Sequence, residues 1–202
     1  MCVSLRAAPL LAALCAAGTA VIWSTAASAH PGLEPHQGVL DGLAHPFLGI
    51  DHLMAMAATG MIAAKYGGAW SWRLPLSFVL LTAVGSVAGL ANPSAIAEGG
   101  IALSLVCLGG WLILGQRVPQ SVGVALAGAF GFVHGWAHGA EQPAQPSSLW
   151  FIGGLLLATA LLHLAGFGIG RSLNTLSHSA RRLGWLAAAS AVAMTGVASI
   201  AG

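Results

Sequence analysis

The sequence predicts an all-α membrane protein with six transmembrane helices, and three observations predict it. Hydrophobic residues make up 57% of the 202 residues and charged residues only 6%, with a mean hydropathy of +0.84, a balance foreign to soluble globular domains and to disordered chains. Apolar stretches near the roughly 20 residues that cross a bilayer recur six times. Every Lys and Arg after Arg6 falls in three short loops that alternate with those stretches.

The chain opens with Arg6, an apolar run from Ala7 to Trp23, and Ala27-Ser28-Ala29, the small-x-small pattern of a cleavage site. Residues 1–29 therefore read as a cleavable signal peptide, and residues 30–202 as one six-helix domain whose mature end, His30, lies outside. The spans fall at about 44–64, 74–91, 96–115, 121–138, 149–169 and 183–201. With residue 30 outside, the inner loops are 65–73, 116–119 and 171–182, and they hold Lys65, Arg73, Arg117, Arg171, Arg181 and Arg182. That is the cytoplasmic bias of basic residues. Six crossings then leave both termini of the mature chain periplasmic.

Smaller features fit this frame. Trp70, Trp72, Trp111, Trp150 and Trp185 sit near predicted helix ends, as interfacial anchors do. Gly85 and Gly89, with Gly109-Gly110, Gly153-Gly154, Gly166, Gly168 and Gly170, suggest close helix packing. Three spans followed by three also permit an inverted repeat. Cys107 stands alone after the signal, so no intrachain disulfide is expected. With no basic stripe and no phosphate-binding loop, neither nucleic acid nor nucleotide is a partner; the lipid bilayer is.

The polar residues are sorted by depth. Glu34, His36 and Asp41 lie in the outer segment, His45, Asp51 and His52 in the outer half of the first span, Glu98 at the outer end of the third, and His134, His138 and Glu141 at the outer end of the fourth. An ionisable side chain at mid-bilayer costs about 2.5–3.5 kcal/mol on insertion scales, so such a gathering calls for a function. His134 and His138, at i and i+4, share a helix face about 6 Å apart, and Glu141 continues it. Two neutral imidazoles so placed can hold one divalent ion. In the first span Pro46 suits the first helical position, which places Asp51 and His52 in the second turn, and His45 and His52, seven apart, share a face with about 10 Å of rise between them. Imidazole and carboxylate donors suit late first-row divalent ions, leaving nickel, cobalt, zinc and copper(II) open. His163 stands alone towards the inner side of the fifth span, where an interhelical hydrogen bond is as good a reading as a ligand. His178 belongs to a basic surface loop, and Met54, Met56 and Met61 read as packing residues.

Two stretches carry a resemblance. His45-Pro-Phe-Leu-Gly-Ile-Asp51-His52 matches an H-x5-D-H signature, and Phe132-Val-His134-Gly-Trp-Ala-His138-Gly-Ala-Glu141 an F-x-H-G-x-A-H-G-x-E signature, of the HupE/UreJ family of small nickel permeases. The resemblance spans essentially the whole chain. It implies a multi-pass protein of the bacterial inner membrane, not an enzyme, that takes up Ni2+, with Co2+ or Zn2+ as further candidates, to supply hydrogenase or urease maturation. It carries metal handling onto His45, Asp51, His52, His134, His138 and Glu141. His30, His36, Asp41 and Glu98 are candidates for accessory capture. The alternative is an intramembrane metal-dependent hydrolase with Glu98 or Glu141 as base; a haem-carrying subunit fits poorly, since paired imidazoles at i and i+4 do not face each other across a haem.

Overall fold

The computed structural model describes residues 38–93, 96–114, 118–142, 145 and 147–201. The signal segment, His30 and His36 lie outside these. The described residues form helices: α1 (Val39–Ala44), a 3-10 turn (His45–Phe47), α2 (Ile50–Tyr66), α3 (Trp70–Ala91), α4 (Ile96–Leu114), α5 (Gln120–Ala140), α6 (Ser148–Asn174) and α7 (His178–Ala201). The last six coincide with the six apolar stretches. By length and apolarity α3, α6 and α7 can each cross a bilayer, and α1 with its turn and α2 qualify together as one bent span. The chain is thus an all-helical protein with three to four candidate spans.

The first span is not one helix. Val39–Phe47 and Ile50–Tyr66 meet at 85°, because Gly49 adopts an extended conformation (φ −107°, ψ 115°) that no helix accommodates. Pro46 accordingly sits in the short 3-10 turn, and Asp51 and His52 open α2 in its first turn rather than its second. At the other end of α2, Gly67 and Gly68 take positive φ (68° and 55°) and turn the chain directly into α3.

Three helix pairs dominate the packing, and glycines make their seams. On α5, Gly131, Gly135 and Gly139 lie against the backbone at Phe78, Thr82 and Ser86 of α3, while Gly85 and Gly89 answer against Phe132 and Trp136. These numbers rise together, so α3 and α5 run parallel. Gly60 on His163, Gly166 on Ala57 and Gly170 on Met61 make α2 run parallel to α6 in the same way, and Gly42 on Phe151 with Gly154 on Val39 seats α1 on the same helix. Gly109 meets Ala189 and Ala193 while Gly196 meets Ala102 and Val106, so α4 and α7 are antiparallel. Exchanging α2 with α5, α3 with α6 and α4 with α7 maps this set of pairings onto itself with every direction reversed. That is the signature of an inverted duplication. Gly110, Gly153 and Gly168 have open space where a Cβ would stand, so they do not share the expected packing role.

The surface is apolar, and polar side chains are gathered inside among the apolar packing. Leu76, Leu80, Val84, Leu103, Leu157 and Leu164 are exposed, while Thr59, Thr82, Ser86, Ser104, Thr159 and three histidines are buried. This inversion suits a chain solvated by lipid. The basic end is tied together: the Lys65 ammonium donates to the Leu112 carbonyl and lies over Trp185, Arg73 donates to Gln120 at 3.2 Å, and Trp111 donates to the Tyr66 hydroxyl at 2.7 Å. Trp72 and Trp150 face outward as anchors do, but Trp111 and Trp185 are buried. Those two fill space beneath Lys65 and Tyr66 instead of facing lipid headgroups.

Candidate metal centre

At the end of the bundle opposite the basic residues, the bend at Gly49 folds His45 back over α5. The His45 ring lies 4.7 Å from His138, and His52, from beyond the bend, lies 4.3 Å from the same ring. On a straight helix the two would stand about 10 Å apart along the axis. The bend thus converts a seven-residue spacing into two approaches to one imidazole. His52 also lies 5.6 Å from His134, one turn deeper on α5. The two helices contribute alternately, in the order His45, His138, His52, His134.

A carboxylate completes the upper part. His45 Nε2 is 3.2 Å from Glu141 Oε2, and His138 Nδ1 is 3.9 Å from the same oxygen. One donor atom each from His45, His138 and Glu141 lies within 4.8 Å of the others. Donors about 2.1 Å from a common ion lie at most about 4.2 Å apart, so a slight closure brings all three into one coordination sphere. Burial alone would raise the Glu141 carboxyl, but the imidazoles of His138 and His45 outweigh it and hold it below the usual carboxylate range.

The deeper nitrogens are buried and unused. His134 Nδ1 lies 2.7 Å from the Phe130 carbonyl, and since a carbonyl only accepts, this nitrogen carries the proton and Nε2 keeps its lone pair. His134 Nε2, both nitrogens of His138 and His52 Nδ1 are buried without a hydrogen-bond partner. Each such group costs about 1–3 kcal/mol, a cost that a divalent ion at this place removes. The donor set therefore fits a late first-row metal.

The other candidates stand apart. Asp51 Oδ1 accepts the His52 backbone N–H at 2.8 Å, fixing the start of α2 beside the cluster. Asp41 accepts the Gly38 N–H and is exposed, and Glu98 is exposed in the first turn of α4. Phe78, whose ring lies 5.3 Å from His134, and the period-four glycines 131, 135 and 139 are functional neighbours that the sequence reading passed over. The glycine period was legible there; the phenyl contact was not.

Comparison with known proteins gives one consistent result. A family profile described as HupE / UreJ protein matches residues 18–196. Protein HupE of Rhizobium leguminosarum bv. viciae is 37% identical over 144 residues, covering 71% of this chain and 75% of that protein. No solved structure is significantly similar.

Proposed function

The chain belongs to the HupE/UreJ family, and from that premise we propose that it is a permease that carries a divalent transition-metal ion, Ni2+ first and Co2+ second, across the bacterial inner membrane. In this reading residues 1–29 are a signal peptide, the six longer helices span the bilayer, the His45 end faces the periplasm, and the imported ion supplies hydrogenase or urease maturation. The observation that carries it is the convergence of four imidazoles and one carboxylate, drawn from α2, α5 and the turn before α2, at the end opposite the basic loops.

Glu141, with its carboxyl still partly exposed, meets the hydrated cation together with His45 and His138. Acids of the outer segment and His36 add only a modest, screened enrichment of the cation. His52, in contact with His138 and His134, takes the ion inward. No sphere in this ladder is complete, which suits a path that must bind firmly enough to strip water and weakly enough to release. A membrane potential of 100 mV, inside negative, favours entry of a divalent ion by about 4.6 kcal/mol. An intramembrane hydrolase is not favoured, because of its two candidate bases Glu98 is exposed in the first turn of α4, apart from the cluster, and Glu141 is held on His45.

The test is accumulation of Ni2+, Co2+, Zn2+ and Cu2+ by cells or proteoliposomes holding the intact chain, His52→Ala or His138→Ala. Accumulation by wild type and its loss in both variants are expected; equal accumulation by all three would defeat the proposal.

A further inference from the structure

One buried nitrogen lies beyond the ladder just described. His163, in the middle of α6, is 2% exposed, and its Nδ1 lies 2.7 Å from the Thr159 carbonyl of its own helix. An interhelical bond, one of the two readings the sequence left open, is therefore not what holds it. Nδ1 carries the proton, and Nε2 presents a buried lone pair without a hydrogen-bond partner. His134 is held identically, by Phe130. Two histidines on different helices share one preparation, and one of them belongs to the donor cluster.

Phe78 bridges the two. Its ring lies 5.3 Å from His134 and 4.9 Å from His163, and it packs with Met56 and Leu162 in an apolar layer. Depth follows from the α2–α6 seam, where a Cβ on Gly60 would fall 2.1 Å from the His163 carbonyl oxygen. His163 is thus level with a point two turns past His52, roughly 12 Å nearer the basic end. The fully buried Phe78 ring meets His163 edge-on, as Phe151 meets His45 at the outer end.

We propose that His163 is an inner metal station: the ion leaving His134 passes the Phe78 layer and is next held on His163 Nε2, from which it departs towards the basic end. This rests on the permease reading. A lone imidazole without a carboxylate binds more weakly than the Glu141 group, as a point of departure should. Displacement of the Phe78 ring is the gating movement, and no interhelical hydrogen bond of His163 has to break.

The experiment measures uptake in proteoliposomes and equilibrium Ni2+ binding by the purified full chain, for wild type, His163→Ala and His163→Cys. For His163→Ala, maximal Ni2+ uptake should fall at least tenfold while the KM and the equilibrium affinity stay at wild-type values, because the outer group is intact. His163→Cys should recover transport of thiophilic Cd2+ relative to His163→Ala, since a thiolate prefers soft ions; a merely structural histidine predicts no such change in preference. Near-wild-type uptake by His163→Ala, loss of binding in both variants, or unchanged ion preference in His163→Cys would overturn the inner station and leave the permease reading standing. Absence of accumulation by wild type itself would overturn both.

Discussion

Replacing Gly135 by Ala tests whether backbone contact sets the donor geometry. A Cβ at this position would lie 2.0 Å from the Thr82 carbonyl oxygen and 2.8 Å from the Ser86 nitrogen, where ordinary contact begins near 3.4 Å. Both are helix backbone atoms and cannot rotate aside, so α3 and α5 must part by about 1.4 Å. Gly131 and Gly139 seat just as closely on either side, at 2.2 Å and 2.0 Å, so the seam opens along its length. Overpacking of this kind costs about 1–3 kcal/mol, which need not unfold the bundle. The consequence for the site is sharper. His134, His138 and Glu141 move with α5, whereas His45 and His52 are set by the separate seam against α6. Metal donors tolerate displacements of about 0.2 Å, so a shift several times larger removes at least one ligand. Ni2+ affinity should fall about 10–100-fold, read by isothermal titration in detergent, with uptake falling in parallel and helicity by circular dichroism unchanged. Gly153→Ala is the control, since nothing lies within 4 Å of its Cβ position. Wild-type affinity in Gly135→Ala, or an equal loss in Gly153→Ala, would refute the reasoning.

Three further outcomes are expected. His138→Ala, which removes the imidazole shared by His45 and His52, should cut radiolabelled Ni2+ uptake more than about tenfold, whereas Asp41→Asn and Glu98→Gln, both exposed, should stay within about twofold because distant surface charges are screened. Gly49→Ala would place a Cβ 2.7 Å from the His52 ring and 2.9 Å from the Asp51 carboxylate; these side chains must yield, so the KM for uptake should rise with the helical content intact. Uptake should be lost only at an external pH acid enough to protonate the donor imidazoles, because protonated imidazole cannot bind metal. Glu141 has its carboxyl depressed by His138 and His45 against the opposing effect of burial, so it stays ionised through that loss; uptake undiminished by any acidification that leaves the chain folded would remove the histidines from the path.

The helices were legible because lipid solvation leaves a clear record of apolar stretches separated by basic residues, but their limits were not, since Lys65, Arg73, Arg171, Arg181 and Arg182, read as loop residues, lie within α2, α3, α6 and α7. The donor residues were legible for the same reason, since His45, Asp51, His52, His134 and His138 stand where polarity is expensive. What periodicity could not supply was the bend. H-x5-D-H reads as one face of a continuous helix, but Gly49 ends that helix, and the resulting interleaving of α2 with α5 depends on contacts nearly ninety residues apart in sequence. His163 was equally ambiguous, because an isolated histidine gives no sign of whether its hydrogen bond will be taken by its own helix or another.

That choice of hydrogen-bond partner ties stability to transport. Thr59, Thr82, Ser86 and Thr159 donate to carbonyls of their own helices, and His134 and His163 do the same through Nδ1. Each side chain meets its obligation in a medium without water while adding no tie to a neighbouring helix, and the imidazoles keep one lone pair for a guest. The cross-helix bonds of Lys65, Arg73, Ser77 and Trp111 lie towards the basic end. A bundle stapled there and, at the other end, by Trp136, which donates to the Asn92 carbonyl at 2.8 Å, and held through its middle by glycine seams can hand an ion from one imidazole to the next without breaking the bonds that hold it folded. Had the buried histidines been bonded to one another across helices, every passage would compete with the fold, and the ion would have to be bound far more tightly than a moving cargo permits.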